Sequence, residues 1–226
     1  RASVQLRRPH TWARGVQVRS ETNNGMTYDH IGAVASEIEY CRYQPRPALT
    51  ERLNTYDLVQ LVAGSPAWGH VTRPVDAPVA LQVATLAREE RAATFDAGWS
   101  PMALWRKFML RVTDRLDHSA LRHVDAVFVE NQWMYDHLSE HMPTGEVVFA
   151  PPGVDTDRFT PGPPPSTGDY LLSVGRLADP RKNVSLLFEA YAQLFDRDLE
   201  VPSLVLGGLS APPPEAWELA DRLGIR

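Results

Sequence analysis

The sequence predicts an α/β protein built on parallel sheet. Three observations carry that expectation. Four short apolar runs, "YDLVQLVAG" (Tyr56–Gly64), "APVALQVAT" (Ala77–Thr85), "VDAVFVEN" (Val124–Asn131) and "GEVVFAPPG" (Gly145–Gly153), are rich in Val, Leu or Phe and run out into polar or turn residues. Strands buried on both faces read this way. Segments of helical period lie between them, and alternation of strand with helix is the pattern of parallel sheets. The same alternation resumes beyond a stretch dense in proline and glycine, "APPGVDTDRFTPGPPPSTGD" (Ala150–Asp169), in which no long helix or strand fits.

Taken in chain order, residues 1–50 carry the weakest pattern. "GVQVRS" (Gly15–Ser20) is expected as a short strand, "ETNNGMTYD" as turn, and "EIEYCRY" (Glu37–Tyr43), which alternates apolar and polar, as another strand. "PRPALTERLN" (Pro45–Asn54) predicts a short helix carrying Leu49 and Leu53. After the second apolar run a long helix is expected over 101–122, with Leu104, Phe108, Val112, Leu116 and Leu121 as its apolar stripe. "QWMYDHLSEH" (Gln132–His141) predicts a shorter helix between the third and fourth strands. Past the proline-rich stretch come strand "YLLSVG", helix "NVSLLFEAYAQLF", strand "PSLVLGG" and helix "PPEAWELADRLGI". This reading gives an N-terminal domain over 1–160 and the beginning of a second over 161–226. The chain opens "RASVQLRRPH" without methionine and stops after two strand–helix units, so segments are expected to be missing at both ends.

Composition narrows the function classes. The 226 residues are 43% hydrophobic and 23% charged, enough for a core. A net charge of −5 argues against a nucleic-acid partner. The lone Cys41 excludes an internal disulfide and multi-cysteine metal clusters, which fits the cytoplasm. No apolar run reaches the ~18 residues of a membrane span, although peripheral membrane association stays open. Arginine outnumbers lysine, and only Lys107 and Lys182 are lysines.

One of those lysines sits in "GRLADPRKN" (Gly175–Asn183). Gly175 ends a predicted strand, and Asn183 is a candidate N-cap of the next helix. The loop therefore falls at the carboxyl end of a parallel strand, where ligands bind in open α/β sheets. Free N–H groups at a helix start favour an anion there. An Arg fork at Arg176 and a point charge at Lys182 suit a phosphate or diphosphate. The neighbouring strand ends in Gly207 and Gly208, which would let backbone approach a ligand. The other reading of the spacing is a solvated basic loop. Neither the dinucleotide fingerprint nor a Walker A pattern occurs.

"VVFAPPGVDTDRFTPG", "YLLSVGRLADPRKNVSLLFEAYAQL" and "SLVLGG", with "HVDAVFVENQWMYDHL" upstream, resemble the retaining glycosyltransferases of family 4. The resemblance runs from about Val124 to Gly208 and extends more thinly back to Tyr56. It implies the GT-B fold: two Rossmann-like domains, with the second one truncated here. It implies transfer of a sugar, with retention, from a nucleotide-sugar donor to a saccharide, lipid or small-molecule acceptor. Arg176 and Lys182 match the family's donor-phosphate Arg and Lys, and no metal or other cofactor is implied. The family's Glu-x7-Glu motif would fall beyond residue 226, so no catalytic residue is assigned and this fragment alone is expected to be inactive. The family's glycine-rich first loop is not visible. Where a histidine often follows its "P-x-V-x-T" strand, this chain has Ala84 and Thr85. Arg88 and Glu89 of "AREER" fall near the family's acceptor region. Alternatives are a non-catalytic nucleotide-sugar-binding or partner subunit of the same fold, and a nucleotide-sugar epimerase.

Other motifs have plainer readings. "HLSEH" matches H-x-x-E-H, with His137 and His141 on one helix face and Glu140 between them. It lacks a third ligand, so no metal site is expected. "GSPAWGH" places Ser65 and His70 after a strand without a nucleophile elbow. Asp114, Arg115 and Asp117 read as a solvated helix face.

Overall fold

The computed structural model describes residues 2–92, 100–142, 145–162, 170–195 and 201–226. Two compact units divide the chain, Arg1–Gly153 and Val154–Arg226.

The first unit is a parallel sheet with strands in chain order: β3 (Val59–Ala63), β4 (Val79–Val83), β5 (Ala126–Val129) and β6 (Glu146–Phe149). Leu61, Leu81, Val127 and Val147 stand abreast across it. Its connections are a 3-10 helix (Pro66–Thr72), the pair α3 (Ala87–Ala92) and α4 (Pro101–Ala120), and α5 (Gln132–His141). The core lies on one face of the sheet: Leu81, Val83, Val127 and Val129 stand on that face and are fully buried, with Met134 and Leu138 of α5 against them, whereas Gln60 and Val62 on the opposite face are exposed. Each such side chain contributes roughly 1.5–3 kcal/mol of burial. The helix starts follow from their sequences. The Ser100 hydroxyl accepts from the Ala103 N–H with Pro101 behind it, and Asn131 Oδ1 accepts from the Met134 N–H. The Asn131 amide also donates to the Ala84 carbonyl at 2.8 Å, tying the end of β5 to the end of β4.

Ahead of the sheet lie an antiparallel hairpin, β1 (Val18–Asn23) with β2 (Met26–Ile31), and two helices, α1 (Glu39–Arg42) and α2 (Pro47–Leu53). Here the sequence expectations fail twice. The segment expected as turn runs through both hairpin strands, and only Asn24 and Gly25, both at positive φ, form the turn. The expected strand "EIEYCRY" is helix α1, because its alternation serves a half-buried helix that pairs side chains at i and i+4: the Tyr43 hydroxyl donates to Glu39 at 2.9 Å.

In α4 the buried stripe is also displaced from expectation. Leu104 and Phe108 are half exposed, whereas Ala103, Met109, Thr113, Leu116, Asp117 and Ala120 face inward. Small residues and a buried carboxylate make up that face, and a count of large apolar side chains misses both.

The second unit has two parallel strands, β7 (Tyr170–Val174) and β8 (Ser203–Gly207), and two helices, α6 (Val184–Phe195) and α7 (Pro214–Arg222). The helices cover one sheet face: Val184, Phe188, Ala216 and Ala220 pack with Leu204, Leu206 and Trp217. Val184, Phe188 and Tyr191 repeat at helical spacing, and the Tyr191 hydroxyl donates to the Pro202 carbonyl at 2.8 Å. On the opposite face Leu172, Val174 and Val205 are exposed.

Candidate functional site

The loop joining β7 to α6 carries the sequence-predicted anion residues. Asp179 organises it. The Asp179 carboxylate accepts the Arg181 N–H at 3.1 Å and caps a 3-10 turn over Pro180–Lys182. It also accepts from the Arg181 guanidinium at 3.1 and 2.9 Å and pairs with Arg176 at 3.3 Å. The Arg181 hydrogen bonds, side chain first and then backbone, hold its pKa down to about 2. Arg176 keeps 70% of its side-chain exposure. Lys182 is exposed, and its aliphatic chain lies near Gly175, where an added Cβ would sit 3.9 Å from Cε. Its ammonium makes no hydrogen bond or ion pair to any described residue.

Asn183 stands at the predicted N-cap position, immediately before α6. It takes a left-handed conformation, φ 46°, which Asn tolerates better than most residues. Its carbonyl accepts the first helical N–H, from Leu187. The chain thus turns sharply from Lys182 into α6.

The two glycines at the end of β8 differ. At Gly207 an added Cβ would make ordinary contact with Val174. At Gly208 it would lie 2.1 Å from the Gly175 carbonyl oxygen, so this glycine is required where the two strand ends come together. The Gly175 N–H donates to the Gly207 carbonyl at 2.9 Å. Gly208 thus serves the approach of one strand end to the other and thereby fixes the backbone from which Arg176 departs.

In the first unit, the loops at the carboxyl ends of β3 and β4 are held by a residue expected to be solvated. Asp117 is 1% exposed. Its carboxylate accepts the Ala67 N–H at 2.6 Å and the Ala87 N–H at 2.8 Å, with the Ser65 hydroxyl as a further partner. Burial pushes its pKa up to about 6 against these hydrogen bonds. Ser65, weighed as a catalytic candidate, is therefore engaged in holding the loop. His70 lies in the following 3-10 helix with Nδ1 buried and unpartnered among the described residues, and burial lowers its pKa.

Arg88 and Glu89 are both exposed on α3. Arg88 borders a shallow cavity with Lys107, Arg111 and Asp114. The next turn of the same helix holds a more constrained group. Arg91 donates to both oxygens of Glu39, with Nη1 2.9 Å from Oε2. Burial pushes the Glu39 carboxyl up, but the bonds from Arg91 and Tyr43 outweigh it and leave its pKa below the usual value. The same bond from Glu39 raises Arg91. Tyr43 in turn packs edge-on to Trp68, ring centroids 5.0 Å apart. Sequence reading missed Glu39 and Arg91; the i, i+4 spacing of Glu39 and Tyr43 was the available clue.

The H-x-x-E-H segment stacks its rings instead of opening them to a metal. His137 lies flat on Trp133 at 5.2 Å and on His141 at 4.6 Å, and His141 Nδ1 lies 2.7 Å from the His137 carbonyl oxygen. Among the described residues no group of three or more His, Cys, Asp or Glu side chains could hold a metal ion. No described helix is long and apolar enough to cross a membrane. The sequence matches no protein-family model and no curated protein.

Proposed function

We propose that this chain is the nucleotide-sugar-binding part of a cytoplasmic retaining glycosyltransferase with GT-B architecture. In this reading the loop from Gly175 to Asn183 holds the donor diphosphate. The observation that carries it is the position of Arg176 and Lys182: both stand at the carboxyl end of a parallel strand, beside the start of the twelve-residue helix α6. Arg176, Arg181 and Lys182 against Asp179 leave the loop with two positive charges in excess.

Departure of a nucleoside diphosphate builds negative charge on the leaving oxygen. Arg176 and Lys182 would stabilise that charge, and they do so more strongly in the transition state than in the bound donor. No metal is needed for this task in the proposed reaction. The acceptor belongs in this reading to the first unit.

Calorimetric titration of the full-length gene product with nucleoside diphosphates tests the assignment. Arg176→Ala and Lys182→Ala are each expected to lose about 1.5 kcal/mol or more, roughly tenfold in affinity. Unchanged binding in both variants would refute the phosphate role. Scoring hydrolysis of a panel of nucleotide sugars then identifies the donor.

A further inference from the structure

The first unit contains a cavity of about 430 Å³ between the N-terminal segment, α1, α3 and α4. Among the described residues four arginines reach it: Arg7, Arg42, Arg91 and Arg106. The carboxylates there are already engaged. Glu39 is held by Arg91 and Tyr43, and Glu37 accepts the backbone N–H groups of Leu6 at 3.2 Å and Arg7 at 3.3 Å. The remaining guanidinium groups of Arg7, Arg42 and Arg106 form no hydrogen bond or ion pair with any described residue. Arg42 is the telling one, because its Nε is buried and has no partner. A buried donor on a cationic group is costly to leave unpaired. The rest of the described wall is apolar, with Met109 buried at its base and the Trp105 indole at its rim.

We infer that this cavity binds a small organic anion, a phosphate or carboxylate head group on an apolar body. Arg42 and Arg106 hold the anionic group, and Trp105 and Met109 cover the body. Arginine suits the task because its planar fork matches both head groups in two-point hydrogen bonds. The Glu39–Arg91 pair serves as the rigid wall that keeps α1 against α3, so the loose arginines face a formed pocket. The inference stands on the first unit alone and does not depend on the donor reading of the second.

Titration calorimetry with phenyl phosphate, benzoate, inorganic phosphate and neutral phenol tests it. The background is Lys182→Ala, so that an anion at the second unit's loop does not contribute. Phenyl phosphate or benzoate is expected to bind saturably, and phenol not at all. Adding Arg42→Ala or Arg106→Ala is expected to cut affinity for the bound aromatic anion at least tenfold; Arg106 is exposed, so its variant tests the site without disturbing packing. Trp105→Ala is expected to weaken the aromatic anion and leave inorganic phosphate unchanged. The inference is overturned if neither aromatic anion saturates, if phenol binds equally well, or if the Arg42 and Arg106 variants both bind as the background does. Equal loss of inorganic phosphate and aromatic anion in Trp105→Ala overturns the apolar half. Failure here is distinct from failure of the donor reading, which is judged on nucleoside diphosphate binding in the Lys182 single variant.

Discussion

Asp117→Asn isolates the buried carboxylate that joins the two loops at the carboxyl ends of β3 and β4. Burial raises its pKa from 3.8 to about 6 in the folded protein, a shift of about two units and so roughly 3 kcal/mol between its protonation states. Between those values the folded protein holds a proton that the unfolded chain has released. Stability from this group is therefore greatest below pH 4 and falls as pH rises through the folded pKa. Asparagine does not titrate. It also turns an NH₂ toward one of the two backbone donors, Ala67 or Ala87, at a constant cost of about 1–3 kcal/mol. The stability of the Asn variant relative to wild type is thus expected to improve by roughly 2–2.5 kcal/mol from pH 4 to pH 7, whatever its starting value. Titrating groups that do not feel Asp117 cancel in that difference; Asp114, whose charge helps raise Asp117, contributes a smaller part of it. Urea unfolding followed by tryptophan emission reads it, since five of the six tryptophans lie in the first unit. A flat difference, or one that worsens with pH as for a solvated or ion-paired carboxylate, would refute the reasoning.

Three further variants probe the other contacts. Gly208→Ala forces a methyl against the Gly175 carbonyl and is expected to destabilise the second unit by about 1–3 kcal/mol, read by hydrogen exchange at the amides of β7. Glu39→Ala removes the carboxylate that Arg91 and Tyr43 both bond and is expected to lose about 2 kcal/mol near neutral pH; because its pKa is lowered from 4.5 on folding, the loss should shrink as pH falls below 4, which urea unfolding at pH 7 and pH 3.5 checks. Asp179→Asn removes a carboxylate that competes for Arg176 and is expected to tighten nucleoside diphosphate binding about two- to fivefold, the equivalent of an exposed ion pair, by calorimetry.

The parallel strands were legible as short runs of Val, Leu and Phe, although only one face is closed: Leu81, Val83, Val127 and Val129 on that face are fully buried, whereas Gln82 and Phe128 between them are half-buried. The N-terminal region was not, because its contacts are polar and pairwise. "EIEYCRY" alternates like a strand, yet its order comes from Glu39 meeting Tyr43 along a helix and Arg91 from α3. The hairpin was announced by Asn24-Gly25, a dipeptide that favours positive φ at both positions, but the polar strands around it gave no periodic support. In α4 the polar face hid the most constrained residue, since nothing local distinguishes Asp117 from its solvated neighbour Asp114. Its role follows from two N–H groups thirty and fifty residues away. The loop residues Arg176 and Lys182 stood out by chemistry and position together, whereas the internal carboxylate Asp179 acquires its meaning only from distances.

Those distances bear on whether the loop can take an anion at all. Asp179 already occupies Arg176 at 3.3 Å, as a phosphate oxygen would. Its grip is unequal, however. Toward Arg181 it makes backbone and side-chain bonds that hold the turn together. Toward Arg176 it makes one ion pair with a guanidinium that is 70% exposed, a contact that water screens. In the proposed reading a diphosphate carries more charge than one carboxylate and also draws on Lys182, which favours the exchange. Asp179 can therefore stay bonded to Arg181 and keep the turn in place while Arg176 swings to a diphosphate. The carboxylate sets the geometry of the basic loop without cancelling its charge.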